Sequence, residues 1–125
     1  MIQYNGLTLA YIGDAYFELA VRQHLLEKNI TKVNDLHNNA VGFTNANAQA
    51  EAVTYLLNHF FDEEEISVYK RGRNQSSTHK PKNADIQTYN IATGLESVIG
   101  FLYLEKRLER LEDLLKTIFK VLEEK

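Results

Sequence analysis

The chain has 125 residues, 44% of them apolar, and a formal net charge of −3. That length supports one domain with a real core, and the composition excludes a disordered chain. No cysteine is present, which excludes disulfides and thiolate metal sites and fits a reducing compartment such as the cytoplasm. No apolar run is long enough to span a membrane, and no charged-then-apolar signal pattern opens the chain. The acidic balance argues against a protein that coats nucleic acid and leaves room for a local basic patch.

A single proline and long segments of helical periodicity predict an all-α helical bundle, one domain over residues 1–125. The first helix is expected from Leu7 to Glu27, capped by Asn5 and ended at Asn29. Within it, Asp14 is stepped by Leu7, Ala10, Tyr11, Phe17, Glu18 and Val21, a mostly apolar set. An acid on such a face costs free energy unless it is paired or binds a cation. Gly13 costs about 1 kcal/mol against Ala in a helix interior, so a close backbone neighbour is expected there. Glu18 can pair with Arg22 one turn on, or support Asp14 from one turn away.

Thr31 to Asp35 supplies cap-type residues for a second helix with Leu36, Ala40 and Val41 on its apolar side. His37 reads as a hydrogen-bonded packing residue. Gly42 to Asn45 breaks the periodicity, and Thr44 or Asn45 caps a third helix through Ala46, Ala50, Val53, Leu56 and Leu57. Asn38, Asn39, Asn45, Asn47 and Gln49 make this region rich in amides, which suits either RNA contacts or a solvated surface. The acidic run Asp62 to Glu65 reads as a helix start, with Asp62 and Glu65 forming a capping box. The charge then reverses: Lys70, Arg71, Arg73, Lys80 and Lys82 occur with no acid before Asp85. Gly72, Asn74, Ser76, Ser77 and Pro81 mark this segment as a loop, of a kind that contacts phosphates.

Ile91 to Leu104 repeats the oddities of the first helix, with Glu96 set among Ala92, Ile99, Gly100 and Tyr103. Asp85 caps this helix, and a last one runs from Lys106 to Leu122 with a stripe of Leu108, Leu111, Leu115, Ile118 and Leu122. Two glycine-thinned helices, each with one acid on an apolar face, are expected to cross closely so that Asp14 and Glu96 meet. Two adjacent carboxylates repel, so one is protonated or a cation lies between them. Oxygen ligands with retained water suit Mg²⁺ or Mn²⁺. The same pattern also fits two acids that cap neighbouring helices or pair with buried Arg or Lys.

Tyr11-Ile12-Gly13-Asp14-Ala15 resembles the "FLGDS" signature helix of ribonuclease III. Gly94 to Leu104 resembles that family's second acidic helix, which reads "EALIGA-FL". Tyr69-Lys70-Arg71-Gly72-Arg73-Asn74, and Pro81-Lys82-Asn83 followed by Gln87-Thr88-Tyr89, resemble the basic turn of its bacterial Mini-III subgroup. The resemblance covers nearly the whole chain. It implies the ribonuclease III endonuclease-domain fold without a double-stranded-RNA-binding domain, and Mg²⁺-dependent cleavage of double-stranded RNA. It also implies Asp14 and Glu96 as catalytic metal ligands, RNA contacts from the basic segment, and a homodimer with Tyr11, Tyr16 and Phe17 as candidate anchors. The implied substrate is a stem in precursor 23S ribosomal RNA, with a ribosomal protein as an optional partner in presenting it. Two departures stand out. The family's acids one and two turns before the signature aspartate are Ala10 and Leu7 here, and its acid one turn before the second glutamate is Thr93. Asp35 is the nearest candidate for a further assisting acid. The reduced acid set also keeps open a non-catalytic, ribonuclease III-like RNA-binding protein of the ribosome.

Overall fold

The computed structural model describes residues 3–75 and 85–124, and every regular element among them is a helix. In chain order these are α1 (Gly6–Glu27), α2 (Val33–Thr44), α3 (Ala46–His59), α4 (Glu63–Asn74), α5 (Ile86–Leu104) and α6 (Leu108–Glu123). None is long and apolar enough to cross a membrane.

Side-chain caps fix most of the starts. Asn5, Asn45 and Asp85 each accept from a backbone N–H in the first turn of α1, α3 and α5. Asp62 and Glu65 form the expected reciprocal box at α4. Asn29 sits at φ 66°, a left-handed position that Asn tolerates, and so stops the chain after α1. Lys106 at φ 59° separates α5 from α6, which therefore starts at Leu108 rather than Lys106 and leaves Leu108 exposed.

Three local expectations are corrected. Lys32, without a side-chain cap bond, precedes α2, so the cap-type residues there do not cap. Within Gly42 to Asn45 the break falls at Asn45, which caps α3, and not at Gly42, which lies inside α2. The predicted loop begins too early: Lys70, Arg71, Gly72, Arg73 and Asn74 are the last turns of α4. Gly72 and Asn74 are turn-type residues, but a capped and well-packed helix carries through the first and ends at the second.

The hub is α5, which packs against α1, α3, α4 and α6. Its residues from Ala92 to Gly100 are all buried except Glu96, as expected of a helix that is apolar on every side. Phe17, Val21 and Leu25 of α1 join Leu95, Val98, Ile99 and Leu102 of α5 in the core. Around them lie Leu56 of α3, Val68 and Tyr69 of α4, and Leu111, Leu114 and Ile118 of α6. An ion pair buried at its Glu65 end ties α4 to α6. Glu65, 1% exposed, receives Arg110 Nε and Nη2 at 2.7 Å each, and Nη2 also donates to the Phe60 carbonyl at 2.7 Å.

α1 and α5 make the most extensive contact in the fold. They cross with backbones touching. A Cβ on Gly13 would fall on the Glu96 carbonyl oxygen and lie 2.7 Å from its carbon and 2.8 Å from Gly100 N. A Cβ on Gly100 would fall on the Leu9 carbonyl oxygen and lie 2.8 Å from its carbon. Ser97 Oγ, 2.7 Å from the Gly6 carbonyl, pins the start of α1 to the same helix.

Candidate active site

Asp14 lies one residue after the Gly13 contact, and the Glu96 carbonyl is what Gly13 touches. The crossing therefore sets the two side chains beside each other. Glu96 is half-buried, and its carboxyl is pushed up to about 8. Burial is the main cause; the Asp14 carboxylate within hydrogen-bonding reach comes next, and Glu18 adds a smaller repulsion. Near neutral pH the pair shares a proton, or a cation takes its place.

The two acids differ in exposure. Asp14 is exposed, not buried, because the Tyr11, Asp14, Ala15 side of α1 faces outward while Gly13, Phe17 and Val21 face α5. The stepping pattern mixed these two sides. Glu18 pairs loosely with Arg22 at 3.7 Å. The positions that lack acids offer no replacement. Ala10 is buried against α5, and Thr93 Oγ1 turns back to donate to the Tyr89 carbonyl at 3.0 Å. Asp35 and His37 are exposed on α2, so His37 is not a packing residue. Asp35 is absent from the charges acting on Glu96. No group of three or more His, Cys, Asp or Glu suited to a metal occurs among the described residues.

Two adjacent carboxyls, with that of Glu96 raised in proton affinity, fit one hard divalent ion whose other positions are water or phosphate oxygen. They do not fit a closed all-protein cage. Cavities of about 790 Å³ between α1 and α6 and about 420 Å³ beside Tyr4 and Arg71 are lined by neither residue.

One neighbour escaped the sequence reading. Gln49 of α3 is 3% exposed, and its Nε2 donates to the Thr44 carbonyl at 2.9 Å and to Glu96 Oε2 at 3.4 Å. It was grouped with surface amides. The signal that singled out Asp14 and Glu96 applies to it too, since its +3, +4 and +7 neighbours are Ala52, Val53 and Leu56, all buried.

The basic residues divide. Lys70 is exposed at the end of α4 and makes no ion pair among the described residues. Arg71 Nη2 donates to the Tyr4 carbonyl at 2.8 Å, and Arg73 lies over the Tyr69 ring at 5.5 Å. Lys80 and Lys82 lie outside the described residues. The aromatic candidates divide as well. Phe17 is core, not surface; Tyr16 is half-buried against Tyr103 at 5.1 Å; Tyr11 is 78% exposed.

Comparison with known proteins gives this geometry a family. The Ribonuclease III domain profile matches residues 7–107, which spans both acidic helices. A Mini-ribonuclease 3 of Clostridium tetani is 46% identical over 98% of this chain and 81% of its own length. A Mini-ribonuclease 3 of Staphylococcus aureus is 46% identical over 97% of this chain and 91% of its own. A crystal structure of a Fusobacterium nucleatum protein superposes with a TM-score of 0.83 at 30% identity, covering 94% of this chain and 93% of that one. The chain belongs to the ribonuclease III family, is similar along nearly its whole length to Mini-ribonuclease 3 proteins, and is an endoribonuclease.

Proposed function

We propose that this endoribonuclease cuts double-stranded RNA stems with Mg²⁺, or Mn²⁺ in its place, held by Asp14 and Glu96. The observation that carries the reading is the α1–α5 crossing, which sets two carboxyls side by side and raises the Glu96 carboxyl to about 8. A divalent ion bound there supplies a Lewis acid that activates water and offsets charge on the scissile phosphate. The residues of the chain do the rest. Asp14, at the surface, would be the ion's exposed ligand, and half-buried Glu96 would hold it as a carboxylate once deprotonated. Ala10, Leu7 and Thr93 add no ligand, so positions stay open for water and for the phosphate. Lys70 and the basic residues that follow it bind phosphate along the stem.

Cutting both strands requires two sites at a fixed spacing. A homodimer supplies them, and exposed Tyr11, one turn before Asp14, is the anchor on that surface. Recognition then rests on the shape of an A-form stem rather than on extensive base reading. Within this reading the substrate is a stem of precursor 23S ribosomal RNA, and the whole chain is one catalytic domain.

The test is cleavage of a structured double-stranded RNA, with Mg²⁺ and with EDTA, by wild type, Asp14→Asn and Glu96→Gln. Both substitutions nearly keep shape and remove charge. Metal-dependent cutting by wild type, lost in both folded variants, is expected. Wild-type protein that binds the RNA and never cuts it would turn the reading into one of RNA binding alone.

A further inference from the structure

Gln49 Oε1 is buried and has no hydrogen-bond partner, the one side-chain atom in that state among the described residues. An unmet acceptor in the interior destabilises a fold, and most buried polar atoms avoid it. An apolar side chain of the same volume would fill the position without that cost. The other end of the amide shows what the position gains from glutamine. Nε2 is anchored at 2.9 Å on the Thr44 carbonyl, at the α2–α3 junction, and from there reaches Glu96 Oε2 at 3.4 Å.

We propose that Gln49 is a positioning residue for the metal centre: its amide, fixed on α3, holds one oxygen of Glu96 so that the carboxylate is presented towards Asp14 and a divalent cation. This rests on the reading of Asp14 and Glu96 as the ion's ligands. Three elements then build the site. α1 brings Asp14, α5 brings Glu96, and α3 fixes the orientation of Glu96 through a group that does not touch the ion. Such a donor matters most in a centre with few ligands. Ala10, Leu7 and Thr93 leave the ion two side-chain carboxylates, so free rotation of either weakens binding directly. Outer donors of this kind govern metal affinity by about 10- to 100-fold. Gln49 has no part in RNA contact, because it is 3% exposed.

The experiment compares wild type, Gln49→Met, Gln49→Leu and Glu96→Gln in three measurements. Mn²⁺ binding to the RNA-free protein is read by electron paramagnetic resonance. Thermal melting is followed in EDTA. Cleavage is titrated with Mg²⁺ to saturation. For the two apolar variants we expect melting near the wild-type temperature, because removing the unmet acceptor offsets the lost bond to the Thr44 carbonyl. We expect Mn²⁺ binding weakened about 10-fold or more, and a matching rise in the Mg²⁺ concentration for half-maximal cleavage, with much of the rate regained at saturation. A folded Gln49 variant that binds Mn²⁺ as tightly as wild type overturns the inference. Glu96→Gln separates the two levels. If it loses Mn²⁺ while the Gln49 variants keep it, Gln49 alone is misassigned; if it also keeps Mn²⁺, the carboxylate pair is misassigned.

Discussion

Replacing Gly13 by alanine tests the crossing on which the site depends. The substitution adds one methyl and, in an isolated helix, would gain about 1 kcal/mol. Here the new Cβ meets backbone: the Glu96 carbonyl group, with its carbon at 2.7 Å, and Gly100 N at 2.8 Å. Backbone atoms in the middle of a buried helix cannot swing aside as a flexible side chain does. α5 must instead move away by on the order of 1 Å, in a core packed to crystal-like density. Overpacking of this kind costs about 1–3 kcal/mol or more, and the backbone contact puts Gly13 at the upper end. After the propensity gain we expect a net loss of about 2 kcal/mol, a fall in melting temperature of roughly 8 °C for a domain of this size. Moving α5 also moves Glu96 from Asp14, and a displacement of about 1 Å costs on the order of 100-fold in rate. Gly42→Ala is the internal control. It is the same change in the interior of α2, where nothing lies within 4 Å, and it should stabilise by about 0.5–1 kcal/mol. The assay is differential scanning calorimetry beside metal-dependent cleavage well below the melting range. A Gly13→Ala protein that melts with wild type and cleaves at its rate would refute the backbone-contact account.

Three further predictions follow from the same geometry. The Glu96 carboxyl is raised from 4.5 to about 8 by burial and then by Asp14, so the folded protein holds a proton that the unfolded chain gives up. That contribution is complete below pH 4.5 and is lost as pH rises through 8, with a slope of up to about 1.4 kcal/mol per pH unit. Urea melts in EDTA should show the decline, and Glu96→Gln should flatten it; an equal slope in both proteins removes Glu96 as its source. Arg110→Ala leaves Glu65, 1% exposed, without its cation, and chemical denaturation should show a loss of about 2–3 kcal/mol, less than for a fully buried pair because the Arg110 side chain is 35% exposed. A loss under about 1 kcal/mol would make this a surface-like pair. Tyr11→Lys, at a side chain 78% exposed, should leave melting of the monomer fold intact and shift light-scattering mass from dimer to monomer. An unchanged dimer would move the interface elsewhere on the surface.

The sequence was most legible where a residue contradicts its surroundings. Gly13, Gly100, Asp14 and Glu96 each stand out against the apolar residues around them in sequence, and all four belong to one crossing. Caps were equally readable, since Asn5, Asn45, Asp62 and Asp85 act on atoms two or three residues away. What failed was what depends on distant partners. Asp14 came out exposed because α5 covers only one side of α1, and a stepping rule does not say how wide that cover is. Lys70 to Asn74 stayed helical because Gly72 packs where Ser97 of α5 leaves room only for a glycine, a long-range fit that local turn residues conceal. Glu65 was rightly read as part of a capping box, but its second role, with Arg110 45 positions later, had no local sign.

If Asp14 and Glu96 hold the ion as proposed, the same crossing explains how two acids suffice. A wide-set group of carboxylates can hold a cation through sheer number, each ligand free to adjust. This pair cannot, so precision has to replace number. The fold supplies it from the backbone outward. The glycine contacts fix the spacing of α1 and α5, and Ser97 locks the register at the start of α1 through the Gly6 carbonyl. Gln49 reaches Glu96 from a third helix. Each constraint acts on backbone position or side-chain orientation, and none contributes a charge. The Glu96 carboxyl is raised first by its burial at the crossing and then by Asp14, because the packed helices hold the two acids together. A looser scaffold would let them part and would lose, with the repulsion, the preformed geometry that a two-carboxylate centre needs.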